Sequence, residues 1–209
     1  MLEHVPAWLG SALRNVRAGH ANLIIADTGI AVPEARLDLG SPAFGDRGRL
    51  PDRFTADGGG VSPPLIWDTP PTGTKMLALV VEDPDAPAPH PLIHAILWGI
   101  DPTERSLAEG ALAGTDAGSA SIGRNSYLAS GWLPPDPPTG HGEHDYVFQL
   151  YALGEAPDLG AHPGRGAVID ALRAIPVLAV GVLVGTYSRD MAPSASGRRR
   201  PSADSAEVG

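Results

Sequence analysis

Apolar residues recur at helical spacing over the start of the chain, at Leu2, Val5, Trp8, Leu9, Leu13 and Val16, with Arg14 and Arg17 off the stripe. Pro6 is tolerated only in a first helical turn, so the pattern predicts a short amphipathic helix within residues 1–18. Such a stripe calls for cover, either from the chain's own domain or from a homodimer contact. A membrane surface fits less well, because the polar face carries few Lys or Arg. Strand-like runs follow at Leu23–Ala26, Ala35–Leu39, Met76–Glu82, His94–Ile100, Tyr146–Leu153 and Leu178–Tyr187, rich in Val, Ile, Leu and aromatics and bounded by Gly, Pro and Asp. One further helix is predicted over Gly166–Ile175, with Val168, Leu172 and Ile175 on one face and Pro176 ending it. The strands do not alternate with long helices, which argues against a doubly wound parallel sheet and for two stacked sheets. The domain is expected over residues 20–190, and the aperiodic Ser, Ala and Pro tail over 191–209, with its Arg198–Arg200 run, is expected to be disordered.

Composition narrows the functional classes. A chain of 209 residues supports one well-buried core. The net charge of -9 argues against a nucleic-acid surface and against general attraction to anionic membranes. Without cysteine there are neither disulfides nor thiolate metal sites. The start lacks a basic region followed by a continuous apolar one, so no signal peptide is read there. Pro176 and Gly181 interrupt the longest apolar stretch, near Ile175–Val184, so no stable membrane insertion is expected and a cytoplasmic location is.

The candidate chemistry sits at three strand ends. Asp83-Pro84-Asp85-Ala86-Pro87 follows the Met76–Glu82 run, where two prolines fix the backbone and place two carboxylates; the same residues also make an ordinary turn. His90-Pro91-Leu92-Ile93-His94 feeds the next strand, and simple alternation puts His94, Ile96 and Trp98 on one face. His141-Gly142-Glu143-His144-Asp145-Tyr146 opens a third, where His144 and Tyr146 project together and Asp145 points the other way. A histidine near an aspartate is favoured in its charged form, and imidazolium and a phenol are donors suited to a phosphate oxygen. A metal-dependent or other hydrolase is the alternative, drawing on His90 and His94 with Asp83 and Asp85, or on His141 with His144. Against it, Pro91 splits the first pair, and neither a His-Glu-x-x-His helix nor a Gly-x-Ser-x-Gly elbow is present. No cofactor and no metal are expected.

In order along the chain stand Ser41-Pro42-Ala43-Phe44, Phe54-Thr55-Ala56-Asp57-Gly58, Ser62-Pro63-Pro64-Leu65-Ile66-Trp67, Asp83–Pro87, His94, Gly123-Arg124-Asn125, Pro137-Pro138, His144-Asp145-Tyr146 and Gly185-Thr186-Tyr187-Ser188-Arg189. This series resembles the phosphatidylethanolamine-binding protein family in its bacterial, Raf-kinase-inhibitor-like branch. The resemblance implies a mainly β fold, a Greek-key β-sandwich of two antiparallel sheets with a few peripheral helices. It also implies a shallow anion site at one end of the sheets, made of Asp83, His94, His144 and Tyr146 with Ala86 and Gly131 on the rim. The expected function is the binding of a phosphate-like or phosphorylated small molecule rather than catalysis, and the resemblance adds regulation of a kinase or protease partner for some members. It further implies a cis Ala86–Pro87 bond, which a proline-framed turn accommodates. The chain departs from the pattern at Asp145, where relatives often have Arg. It departs again at Leu133 and Pro134, where bacterial relatives tend to have glycines; proline offers an anion no N–H.

Overall fold

All eight residues of Met76–Asp83 are buried, because the sheet they belong to is covered on both faces. Leu77, Leu79 and Val81 pack with Leu39, Leu65 and Trp67 on one side, while Met76, Ala78 and Val80 pack with Ile24, Val168 and Leu172 on the other. Strand alternation thus divides one apolar run between two cores. Each fully buried leucine contributes about 1.5–3 kcal/mol.

The structure is a computed structural model that describes residues 6–113, 116–117 and 120–190. Its elements are α1 (Ala7–Ala12), β1 (Leu39–Gly40), β2 (Gly48–Arg49), β3 (Leu65–Trp67), β4 (Met76–Asp83), β5 (Leu92–Ile100), β6 (Ser106–Leu107), β7 (Asp116–Ala117), β8 (Ala120–Ile122), β9 (His144–Leu153), α2 (Arg165–Ala174) and β10 (Val177–Tyr187). Strands β1, β3 and β6 form a small sheet, and the large one runs β2-β10-β9-β4-β5-β8-β7. β4 and β9 are neighbours although the chain between them visits the small sheet and the far edge of the large one, which is the Greek-key connection of the sandwich. The pairs are antiparallel except for the edge strand β2, which lies parallel to β10.

Four local expectations change. Leu23–Ala26 is not a strand but lies in 3₁₀ turns, His20–Asn22 and Ile24–Ala26; the Ile24 and Ile25 N–H groups donate to the side chains of buried Glu82 and Gln149 instead of to a ladder. Of Ala35–Leu39, only Leu39 enters a strand, and Arg36 makes a single bridge to Val180. The Ala86–Pro87 bond is trans, and the turn closes in that form through the Ala88 N–H, which donates to the Ala86 carbonyl at 2.8 Å. Finally, the chain's own domain does not cover the apolar stripe at Trp8 and Val16, 71% and 48% exposed, which leaves the homodimer contact as the cover expected there. The segment docks by its other side. Gly10 lies so close to the Thr139 carbonyl that a Cβ there would overlap it, and Arg14 and Arg17 donate inward to carbonyls of residues 140–143. Leu2 and Val5, like the tail from Met191 onward, lie outside the described residues.

Candidate functional site

The antiparallel order β5-β4-β9 brings the end of β4 and the starts of β5 and β9 to one edge of the sheet. Asp83, His94, His144 and Tyr146 therefore meet. His94 reaches the site by an irregularity: Val81 pairs with Ala95 but Glu82 with Ile93, so His94 is the unpaired residue of a β-bulge. The bulge turns it away from Ile96 and Trp98, which lie in the core under α2, and toward Trp132 and Tyr146. Simple alternation misplaced it. Bulges re-aim side chains in this way beside functional sites.

The polar atoms form a defined chain. Asp83 Oδ1 accepts the Asp85 N–H at 2.8 Å, fixing the turn. Asp83 Oδ2 meets His144 Nδ1 at 2.8 Å, His144 Nε2 meets His141 Nδ1 at 2.7 Å, and His141 Nε2 meets the Leu13 carbonyl at 2.9 Å. Burial and then His144 hold the His141 pKa below the ordinary histidine range. A neutral His141 donates from Nε2 to Leu13 and accepts at Nδ1. Both His144 nitrogens are thereby engaged, and neither is left for a ligand.

His94 differs. Its Nδ1–H donates to the Leu133 carbonyl at 2.6 Å, while Nε2 has no hydrogen-bond partner among the described residues and stands 4.0 Å from Asp83 Oδ2. Burial, only partly offset by the Asp83 carboxylate, lowers its pKa. Tyr146 lies edge-on to the His94 ring with centroids 5.0 Å apart. Its hydroxyl is buried without a protein partner, and burial raises its pKa well above the usual phenol range.

Above this floor lies a cavity of about 160 Å³. Asp83, Ala86, His94 and His144 line it, with Pro87, Leu133, Pro134, Pro137 and Pro138 among its walls. No Lys or Arg is among its described lining residues. Leu133 and Pro134 supply no free backbone donor either: the Leu133 N–H is taken by the His94 carbonyl at 2.7 Å, and Pro134 has none. Two expected residues are off the wall. Tyr146 lies beneath it, and Gly131 turns its carbonyl to the Asn125 amide at 3.2 Å. Gly131 instead takes a positive φ of 101° just before Trp132 and Leu133. Asp145 faces outward, toward His20 and Arg47.

Sequence reasoning weighed His141 only as a metal ligand and missed its place behind His144; the short His-x-x-His spacing at a strand start was the available signal. It also missed Asp136, a wall residue held by Arg189 at 2.6 Å. Arg189 in turn pairs with Asp57 at 2.7 Å and donates to the Pro137 carbonyl.

A family model described as phosphatidylethanolamine-binding protein matches residues 40–188. A UPF0098 protein of Methanothermobacter thermautotrophicus is 38% identical over 154 residues, covering 73% of this chain and 99% of the relative. A Mycobacterium tuberculosis relative carrying the name lipoprotein LppC is 40% identical over 153 residues, covering 72% of each chain. Among solved structures, E. coli YbcL, described as a new member of the mammalian PEBP family, is 27% identical with a TM-score of 0.68, covering 73% of this chain and 98% of that one. A PEBP homologue from Chlamydia trachomatis is 31% identical with a TM-score of 0.67, covering 75% and 100%.

Proposed function

The chain belongs to the phosphatidylethanolamine-binding protein family, and from that premise we propose that it binds a small phosphorylated ligand of the head-group kind in the cavity above Asp83, His94 and His144. The observation that carries the reading is His94 Nε2, a buried polar atom of a lining residue with no hydrogen-bond partner among the described residues. A phosphate oxygen accepts from His94 once Nε2 is protonated, with Tyr146 beneath as part of the floor. A phosphate monoester has its second pKa near 6, so ligand and His94 share a proton close to neutrality. The Asp83 carboxylate then favours a ligand that brings a donor of its own, such as an ammonium, over a bare anion. His144 acts by fixing Asp83, not by touching the ligand.

Binding rather than catalysis is the reading because Tyr127 carries the one hydroxyl among the described lining residues and no activated nucleophile faces the cavity. The cytoplasmic location expected from the sequence stays part of the proposal, although one relative is named a lipoprotein; no helix among the described residues is long and apolar enough to cross a membrane. The test is calorimetric titration with phosphoethanolamine, phosphate and ethanolamine at about pH 6 and pH 8, on either side of the histidine range. Phosphoethanolamine should bind best, with a dissociation constant between about 1 μM and 1 mM, and more weakly at the higher pH. Equal affinity at both values would count against the reading.

Regulation of a kinase or protease is the second reading. It is favoured by Tyr127 and Leu128, 45% and 79% exposed, the first lining the cavity and the second next to it in sequence. Under it, Leu128→Ser abolishes partner capture and leaves phosphoethanolamine binding unchanged.

A further inference from the structure

Beside the cavity, on the outer side of the strand-end loops, the N-terminal segment brings His20 against Asp85 and Asp145. One ligand atom from each of the three lies within 4.8 Å of the others. His20 Nε2 and Asp145 Oδ2 are 3.6 Å apart, too far for a hydrogen bond. That one distance fits a shared metal instead: ligand atoms about 2.0–2.2 Å from a tetrahedral zinc lie about 3.3–3.6 Å from one another. We propose that His20, Asp85 and Asp145 form a divalent transition-metal site, with Zn²⁺ as the fitting ion, which ties the N-terminal segment to the ends of β4 and β9.

Three features support this beyond proximity. First, neither the His20 ring nor the Asp145 carboxylate makes a hydrogen bond among the described residues; the nearest cation to Asp145 besides His20 is the largely exposed Arg47, at 4.0 Å. Second, Asp85 is held rigidly. Arg17 pairs with Oδ1, and Oδ2 accepts the Asp145 N–H at 2.7 Å, which leaves a further lone pair on each oxygen. Third, the three ligands come from three separate pieces of chain: a 3₁₀ turn, the turn after β4, and β9. An ion there closes loops that otherwise cost entropy to hold. An imidazole with two carboxylates suits Zn²⁺ over Ca²⁺ or Mg²⁺, which prefer oxygen alone. Open positions go to water, and the role is structural. None of the three residues lines the cavity, so the site stands or falls apart from the proposed ligand.

The experiment is calorimetric titration of the full chain with zinc chloride in phosphate-free buffer, with hydrogen exchange of the segment around residues 10–22 read in parallel. The wild type should bind one equivalent, and zinc should slow exchange in that segment. His20→Ala and the near-isosteric Asp145→Asn should each weaken binding by more than about tenfold, since even outer-shell partners are worth that much, while circular dichroism stays unchanged. His162→Ala, remote from the site, should bind like wild type, and magnesium should give no heat. The proposal is overturned if wild type takes up no zinc at about 1 mM, or if both ligand variants bind as tightly as wild type.

Discussion

Acidification through the histidine range should destabilise the ligand-free protein, and His94 should account for part of the effect. His94 is 3% exposed, and burial holds its folded pKa below the ordinary value of about 6.5. His141 shifts the same way, through burial and then His144. A base with a lowered folded pKa is protonated first in the unfolded chain. Its contribution is therefore complete above about pH 6.5 and is lost as pH falls below that value, until the folded pKa is reached. Each such group gives a slope of up to about 1.4 kcal/mol per pH unit, and the two together up to about 2.7. Urea unfolding at about pH 7.5, 6.5 and 5.5 measures the slope. His94→Gln cannot titrate but keeps a donor for the Leu133 carbonyl. It should lose less than wild type between the two lower values, by up to about 1 kcal/mol. An identical decline in the two proteins would show that His94 is not held neutral by burial and would refute the reasoning.

Four further perturbations probe the N-terminal segment and the helix under the sheet. Arg17→Ala removes the ion pair to Asp85 and the bonds to the Glu143 and His141 carbonyls; it should cost about 1–3 kcal/mol in urea unfolding and speed proteolysis before residue 20. Trp8→Ser should change stability by no more than about 0.5 kcal/mol, because the ring is solvent-exposed; a larger loss, with a change in mass by light scattering, would mean that the apolar stripe is covered by a second copy. Gly10→Ala should destabilise by about 1–3 kcal/mol through overlap with the Thr139 carbonyl. Gly166→Ala, in α2 with open space at its Cβ position, should instead stabilise by up to about 1 kcal/mol, both read by thermal melts.

The central strands were legible because each is a continuous apolar run cut off by Gly, Pro or Asp, as in Met76–Asp83 and Val177–Tyr187. The meeting of Asp83, His94 and His144 was legible because each begins or ends such a run. Three things were not. The bulge at His94 is set by pairing register with β4, a long-range property with no local signature. Two-residue strands such as β1, β2 and β6 are too short to show a period. The N-terminal helix misleads because amphipathicity assumes that the apolar face is the docked one. Here a six-residue helix is held by a glycine contact and two guanidinium groups, so its arginines turn inward and Trp8 outward. The same docking caps His141 with the Leu13 carbonyl, a contact between residues that share no motif.

The most direct measurement is a long-range nitrogen–proton NMR spectrum of the histidine rings, recorded near pH 7 while phosphoethanolamine is added, with His94→Gln assigning the His94 signals. If the ligand sits on His94, its Nε2 resonance moves from the unprotonated toward the protonated position as the cavity fills, while the His141 and His144 nitrogens, already bonded to protein, stay nearly still. Saturation with the His94 nitrogens unmoved, or with the largest change at His144, would contradict the account.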